Sequence, residues 1–173
     1  MNIKTSIRET IQSDITSLKI LYKKAFTDED LFPLVTELLN DKQNTFMLSA
    51  LHDGDLVGHI AFTKCHAKPS EIALSLLGPM AVLPLYQGKG IGTDLIKEGF
   101  NHLKKSGVEK AIVFGDPNFY GRSGFTIESN IEPAYSIAEE YIPGWQSISF
   151  SNTASAVSGK LQVTRPWQRQ DLW

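Results

Sequence analysis

Gln87-Gly88-Lys89-Gly90-Ile91-Gly92 is the stretch whose reading decides the fold. It leads into residues 91–105, where Ile91, Leu95, Ile96, Phe100 and Leu103 recur at helical spacing and Ser106-Gly107 supplies a stop. Before it runs an apolar segment, residues 72–83, interrupted by Gly78-Pro79. The glycines therefore fall between a strand and the N-terminus of a helix. The first N–H groups of a helix have no intrahelical partner and lie at the positive end of its dipole, so an anion is favoured there. Glycine lets a phosphate approach that backbone closely, and Lys89 and Gln87 could add donors.

Spacing separates the phosphate loops that compete for this segment. A Walker loop needs Gly-Lys-Ser/Thr, whereas Gly90 is followed by Ile91-Gly92. A dinucleotide fingerprint needs a third glycine where Thr93 stands, and it belongs early in a doubly wound unit. What fits is Gln-x-x-Gly-x-Gly, carried by Gln87, Gly90 and Gly92. The strand before it adds an independent signal. Pro79 has no N–H and Gly78 no side chain, so regular pairing should fail there and leave strand groups free for a ligand.

Outward from this core, residues 111–114 read as a short buried strand, and strand-helix-strand implies a right-handed crossover between parallel strands. Upstream, residues 3–10 read as a first strand. Asp14 then offers an N-cap for a helix carrying Ile15, Leu18, Leu21, Tyr22, Ala25 and Phe26 at helical spacing. The acidic turn Asp28-Glu29-Asp30 leads to a second helix, with Pro33 near its start and Leu34, Val35, Leu38 and Leu39 on one face. Residues 45–51 and 56–64 form a hairpin around Asp53-Gly54, followed by a polar stretch containing Cys65, His66, Lys68 and Pro69. Downstream, Asp116-Pro117 opens a short helix that Gly121 ends. Residues 125–127 begin another strand and residues 160–164 read as a last one, while residues 147–158, rich in Ser, Ala and Asn, yield no element.

The whole chain sets the bounds. Its 173 residues suit a single domain, and 42% hydrophobic with 21% charged residues is ordinary globular composition. A net charge of -2 gives none of the overall basic balance that drives non-specific nucleic-acid binding. Met1-Asn2-Ile3-Lys4-Thr5 lacks the apolar core of a signal peptide, and no run approaches the roughly 18 apolar residues of a membrane span. Cys65 is the sole cysteine, which excludes an intrachain disulfide. These readings predict a cytoplasmic protein that engages neither nucleic acid nor membrane.

The glycine motif resembles the pyrophosphate-binding signature of the GNAT superfamily of N-acyltransferases. The resemblance implies an α/β (α+β) fold: a mixed, mostly antiparallel central sheet with a parallel, splayed strand pair, flanked by helices. It implies acetyl-CoA as cosubstrate, with Met80, Ala81 and Val82 along the pantetheine arm and Gln87, Gly88, Lys89, Gly90, Ile91, Gly92 and Thr93 at the pyrophosphate. A second segment, Asp116-Pro117-Asn118-Phe119-Tyr120-Gly121-Arg122-Ser123-Gly124-Phe125, resembles the one in which many GNAT members carry a tyrosine facing the acetyl-CoA sulfur. By that resemblance Tyr120 is the catalytic residue and Asn118 a cofactor contact. The competing reading of Tyr120 is a packed aromatic beside Phe119 and Phe125.

Direct aminolysis of a thioester needs a neutral amine, a polarised carbonyl and a proton for the leaving thiolate; a phenol can supply that proton, and the resemblance makes a strand N–H of Met80 or Val82 the carbonyl's hydrogen-bond donor. The base is unassigned. Several family members place a carboxylate in the cofactor-binding strand, but this strand reads Ala73-Leu74-Ser75-Leu76-Leu77, which leaves Glu71 and His66 near its beginning. Cys65 as an acetyl-enzyme nucleophile lacks a motif-linked histidine. His52, His59, His66 and His102 show no ligand spacing, so no metal is expected, and His59 within an apolar strand reads as packed or hydrogen-bonded. The resemblance implies a small-molecule or peptide amine as acceptor. Phe26, Phe32, Tyr135, Trp145 and Trp167 are candidate lining residues, with plain packing as the competing role. A homodimer is left open, and the alternative function is a catalytically silent acyl-CoA-binding regulatory module.

Overall fold

The computed structural model describes residues 3–173; Met1 and Asn2, part of the N-terminal stretch read above, lie outside the described residues. The first strand, Ser6–Glu9 (β1), is shorter than expected, and a single turn at Gln12–Asp14 precedes the helix Ile15–Ala25 (α1). Asp14 does not cap α1. Its carboxylate takes both Arg8 guanidinium nitrogens (2.8 and 2.9 Å) and the Ile11 N–H (2.9 Å), and the Arg8 hydrogen bond holds it below the usual carboxylate range. The helix Phe32–Asn40 (α2) buries the expected face of Leu34, Val35, Leu38 and Leu39. Asp53 and Gly54, at φ 51° and 88°, turn the hairpin between Thr45–His52 (β2) and Asp55–Pro69 (β3).

After β3 come Leu74–Val82 (β4), Ile91–Lys105 (α3), Lys110–Phe114 (β5), Pro117–Tyr120 (α4), Thr126–Ile127 (β6), Ile131–Glu132 (β7), Trp145–Ser149 (β8), Asn152–Ser155 (α5) and Gly159–Gln162 (β9). Hydrogen-bonded neighbours run β1-β2-β3-β4-β5-β8-β6, and β9 joins β3 and β7. The β1–β2, β5–β8, β6–β8 and β3–β9 pairs are antiparallel, whereas β4–β5 is parallel, as the crossover through α3 requires. The fold is the expected mixed, mostly antiparallel sheet flanked by helices.

β7, β8 and α5 were not read from the sequence, and β3 is longer than read. β3 continues through the polar stretch to Pro69, because its end pairs with β9 from His66↔Gln162 to Pro69↔Gly159. Cys65 and Ala67 turn inward there while Lys64 and Lys68 stay exposed, which is strand alternation. β8 went unread because Gln146 and Ser147 are polar yet buried. Gln146 Nε2 donates to the carbonyls of Gly115 (3.2 Å) and Gly144 (3.3 Å), and Ser147 Oγ to Glu128 (2.7 Å).

The chain divides into two compact units, one comprising residues up to Phe62 with Pro79–Phe100, the other Thr63–Gly78 with Asn101–Trp173. In the first, the buried faces of α1, α2 and α3 meet the apolar residues of β2 and β3. Gly99 of α3 lies so close to Phe62 of β3 that a Cβ would stand 2.0 Å from the ring, so a helix glycine that costs about 1 kcal/mol in propensity is required by packing. In the second, Lys110 on β5 and Glu128 are 2.6 Å apart, with side chains 3% and 2% exposed. Burial pushes the Glu128 carboxyl up, but bonds from Lys110, Ser147 and the Asn130 N–H outweigh it, and the group ends below its ordinary 4.5.

A buried pair with every lone pair engaged stands while both partners remain; removing one leaves the other charge in the core. Glu128→Ala should therefore destabilise the protein by about 3–5 kcal/mol in urea unfolding, and Lys110→Met with Glu128→Leu should recover most of that loss. Because the native pKa of Glu128 is depressed, its contribution is complete above pH 4.5 and is lost as pH falls below it. Acid titration of stability in the double variant should be flatter in that range.

Candidate active site

Pairing between β4 and β5 runs from Leu74↔Lys110 to Leu77↔Val113 and stops. The next residue, Gly78, has φ +134°, a conformation L side chains rarely adopt, and the one after it is Pro79. The pairing with β5 thus ends where the sequence places the break, although β4 itself runs on to Val82. In the second unit Gly78 is backed by Trp167, whose ring stands 3.7 Å from where a Gly78 Cβ would be and whose indole N–H donates to Thr63 Oγ1 (3.1 Å).

Past Leu77, in the first unit, Met80 and Val82 are half-buried and Ala81 is buried, as strand alternation gives, and the β5 register has ended before this segment, which leaves that backbone edge reachable. The Leu83 N–H donates to the Val57 carbonyl (2.9 Å), which ties the end of this segment to β3. Gln87 Nε2 donates to the Val82 carbonyl (3.0 Å) and closes the turn into the glycine loop. Gly88 and Gly90 have φ +72° and +86°, and a Cβ at Gly88 would meet nothing within 4 Å, so this backbone is open to a ligand. α3 begins at Ile91, its first-turn Asp94 N–H bonded to the Gly90 carbonyl (2.9 Å). Gly92 and Thr93 fall in that first turn, and the Lys89 ammonium lies 5.3 Å over the Tyr86 ring. The first unit thus holds Met80, Ala81, Val82 and residues 87–93, while Asn118 and Tyr120 belong to the second.

In the second unit Asp116 caps α4 by accepting the Asn118 N–H (2.9 Å), with Pro117 in the first position, as read. The Tyr120 ring meets Phe119 edge-on at 5.0 Å and Phe125 at 5.8 Å. Gly115, which sequence reasoning passed over, makes room for it: a Cβ there would lie 2.4 Å from the Tyr120 ring. Burial, and then the Asp116 charge, raises the Tyr120 phenol to about 12, so it is protonated throughout the neutral range.

The remaining titratable candidates are placed as follows. Glu71 is exposed between β3 and β4, and His66 is half-buried near the end of β3. Cys65 is buried, and burial pushes its thiol up, away from the reactive thiolate. His59 is fully buried; desolvation holds it at about 3 against a small opposing pull from Asp14. Its Nδ1 bonds the hydroxyl of Tyr22 on α1 (2.8 Å), and that hydroxyl also donates to the Pro79 carbonyl (3.2 Å). Neither residue stood out in sequence as part of the site. Among the described residues no group of three or more His, Cys, Asp or Glu side chains is arranged to hold a metal ion. Of the candidate acceptor residues, Trp145 and Trp167 are buried and both pack edge-on against Trp173, Tyr135 stands 6.2 Å from that same ring, Phe26 stacks on Tyr22, and Phe32 lies under the Lys19 ammonium.

The model of the acetyltransferase (GNAT) family matches residues 15–125. In sequence, the uncharacterized N-acetyltransferase YjhQ of Escherichia coli (strain K12) is 31% identical over 164 residues, 91% of each chain. The uncharacterized N-acetyltransferase YhbS of the same strain is 29% identical over 125 residues, 72% of this chain and 75% of its own. In structure, E. coli YhbS in complex with CoA superposes with a TM-score of 0.86 at 24% identity, covering 98% of this chain and 94% of that one. A GNAT family acetyltransferase from Brucella melitensis in complex with acetyl-CoA superposes with a TM-score of 0.78 at 26% identity, covering 95% and 99%. A strand that loses its parallel partner at Leu77, a glycine loop opening a helix, a family match over most of the chain and a relative similar along nearly all of it lead to one assignment: this chain belongs to the GNAT acetyltransferase family and is an acyltransferase.

Proposed function

We propose that the chain works as one N-acetyltransferase domain, in the cytoplasm, moving the acetyl group of acetyl-CoA to a primary amine by direct attack. The observation that carries this reading is the run from Gly78 to Ile91: a strand whose parallel pairing ends at Leu77, then two glycines at positive φ directly before the N-terminus of α3. Backbone donors at the start of that helix suit a pyrophosphate, and the reachable edge of Met80–Val82 suits an extended amide-bearing arm. The relatives solved with CoA and acetyl-CoA support this ligand. On this reading Gly88, Gly90, Ile91, Gly92 and Thr93 offer backbone to the pyrophosphate, Lys89 adds charge, Gln87 holds the turn, and Asn118 touches the cofactor.

Acetyl-CoA supplies an activated acyl group on a thiolate leaving group. Met80 or Val82 donates a backbone N–H to the thioester carbonyl, so negative charge developing on oxygen meets a fixed dipole. Tyr120 donates a hydrogen bond to the departing sulfur. The proton the amine sheds as the C–N bond forms passes through the phenol to sulfur as the C–S bond breaks, giving amide and CoA thiol with Tyr120 unchanged. A phenol at about 12 is a weaker acid than a thiol, so its bond strengthens as charge collects on sulfur, and the phenol never stands ionised beforehand. Cys65 and His59 take no proton in this scheme, one held as thiol and the other as neutral imidazole.

Calorimetric titration with acetyl-CoA, with ATP and NAD as controls, tests the binding half; thiol release across a panel of small amines and peptides tests the chemistry. Selective binding with thiol release is expected. Binding without release from any amine would favour the silent acyl-CoA-binding module, and no binding by folded protein would reject the reading.

Two variants separate the parts. Gly90→Val forces a β-branched side chain onto φ +86° and should weaken acetyl-CoA binding by at least about tenfold in a folded protein. Tyr120→Phe should lower kcat by about 100-fold with acetyl-CoA affinity kept within about twofold, and unchanged turnover would remove Tyr120 from the donor role.

A further inference from the structure

The Tyr22 hydroxyl carries one proton and touches two acceptor-capable groups, the Pro79 carbonyl at 3.2 Å and His59 Nδ1 at 2.8 Å. A carbonyl only accepts, so the tyrosine proton goes to Pro79 and the second bond must be donated by His59 Nδ1–H to the tyrosine oxygen. That fixes the imidazole tautomer. A neutral ring protonated on Nδ1 has its lone pair on Nε2, the buried atom that has no hydrogen-bond partner. Burial, which holds the ring at about 3, rules out the doubly protonated form at neutral pH. The Asp14 carboxylate is the charge His59 feels, and Arg8 is paired with it at 2.8 Å.

What this chain of bonds holds is one peptide plane. The Pro79 carbonyl and the Met80 N–H belong to the same peptide unit, which is trans, so the two point in opposite directions. Fixing the carbonyl toward Tyr22 fixes the Met80 N–H away from it. This plane lies past Leu77, where the register with β5 has ended, so on that side no strand neighbour fixes it and the Tyr22 bond adds a hold. Both anchor residues are almost wholly buried, Tyr22 at 2% and His59 at 0% exposure, and Phe26 stacks on the tyrosine at 5.9 Å. The anchor therefore has little room to move.

We propose that Tyr22 and His59 are positioning residues for acyl transfer: by gripping the Pro79 carbonyl they aim the Met80 N–H at the thioester carbonyl. This rests on the proposed acetyl-CoA site and selects Met80 over Val82 as the carbonyl's donor. His59 is not the missing base. It orients a hydroxyl and takes no proton from the amine.

The test needs no acceptor. Acetyl-CoA labelled with carbon-13 at the thioester carbonyl is bound to the protein and its carbonyl stretch is read by infrared difference spectroscopy, with affinities for acetyl-CoA and CoA measured alongside. In the wild type the bound band should lie below its solution frequency. Tyr22→Phe and His59→Leu should return it toward the solution value while CoA affinity changes by less than about threefold. His59→Asn, whose amide N–H takes the place of Nδ1–H, should keep the wild-type band, a rescue that a purely structural role would not require. A wild-type band in Tyr22→Phe would overturn the proposal. Should that variant fail to fold, nitrogen-15 spectra of the wild type decide: a protonated Nε2 at neutral pH would overturn it, and a protonated Nδ1 with bare Nε2 would support it. Failure of the wild type to bind acetyl-CoA would instead sink the cosubstrate assignment, and this inference with it.

Discussion

The loss of strand pairing at Gly78-Pro79 is the constraint around which the functional half of this molecule is arranged. A buried backbone group without a partner costs on the order of 1–3 kcal/mol, so a ladder cannot simply be left open. Proline removes one donor outright. The remaining groups are taken up by other means: the Pro79 carbonyl by the Tyr22 hydroxyl, the Val82 carbonyl by the Gln87 amide, and the Leu83 N–H by the Val57 carbonyl. Strand β3 thus still takes one group, the Leu83 N–H, while two side chains take the Pro79 and Val82 carbonyls along the stretch where an acyl-CoA arm would lie.

Desolvation then decides what each buried titratable group can do. The same physical effect moves three of them in the direction of their neutral forms: the Cys65 thiol up, the Tyr120 phenol up to about 12, and the His59 imidazole down to about 3. At neutral pH the thiol is not a nucleophile and the imidazole is not a base, whereas the phenol keeps a proton it can share. Glu128 goes the other way because it is met by an ammonium, a hydroxyl and two backbone N–H groups. Its charge serves the packing of the second unit.

Glycines divide along a similar line. Gly99 and Gly115 are required by what stands against them, the Phe62 ring in one case and the Tyr120 ring in the other. Gly88 and Gly90 are required by their own backbone conformation, with open space at Gly88. A residue type that looks uniform in sequence thus has two physical meanings, close packing and exposed, bendable backbone, and only the second bears on ligand approach.

Much of this was legible in the chain itself. Helical spacing located the buried face of α2 and the extent of α3, Asp53-Gly54 located the hairpin, Asp116-Pro117 located α4, and Gly78-Pro79 located the end of the β4–β5 pairing, because each depends on covalent geometry or on a local period. The glycine loop was legible for the same reason. The end of β3, the existence of β8 and the true work of Asp14 were not, since they depend on β9, on the buried partners of Gln146 and Ser147, and on Arg8. Tyr22 and His59 illustrate the limit best. In sequence one is a core position of a helix and the other a polar residue in an apolar strand; the Tyr22–His59 and Tyr22–Pro79 bonds span 37 and 57 positions of chain. Local rules act over a turn of helix or a pair of strand residues, so they determine elements and backbone breaks, whereas which buried polar atoms meet is decided only when distant segments share one interior.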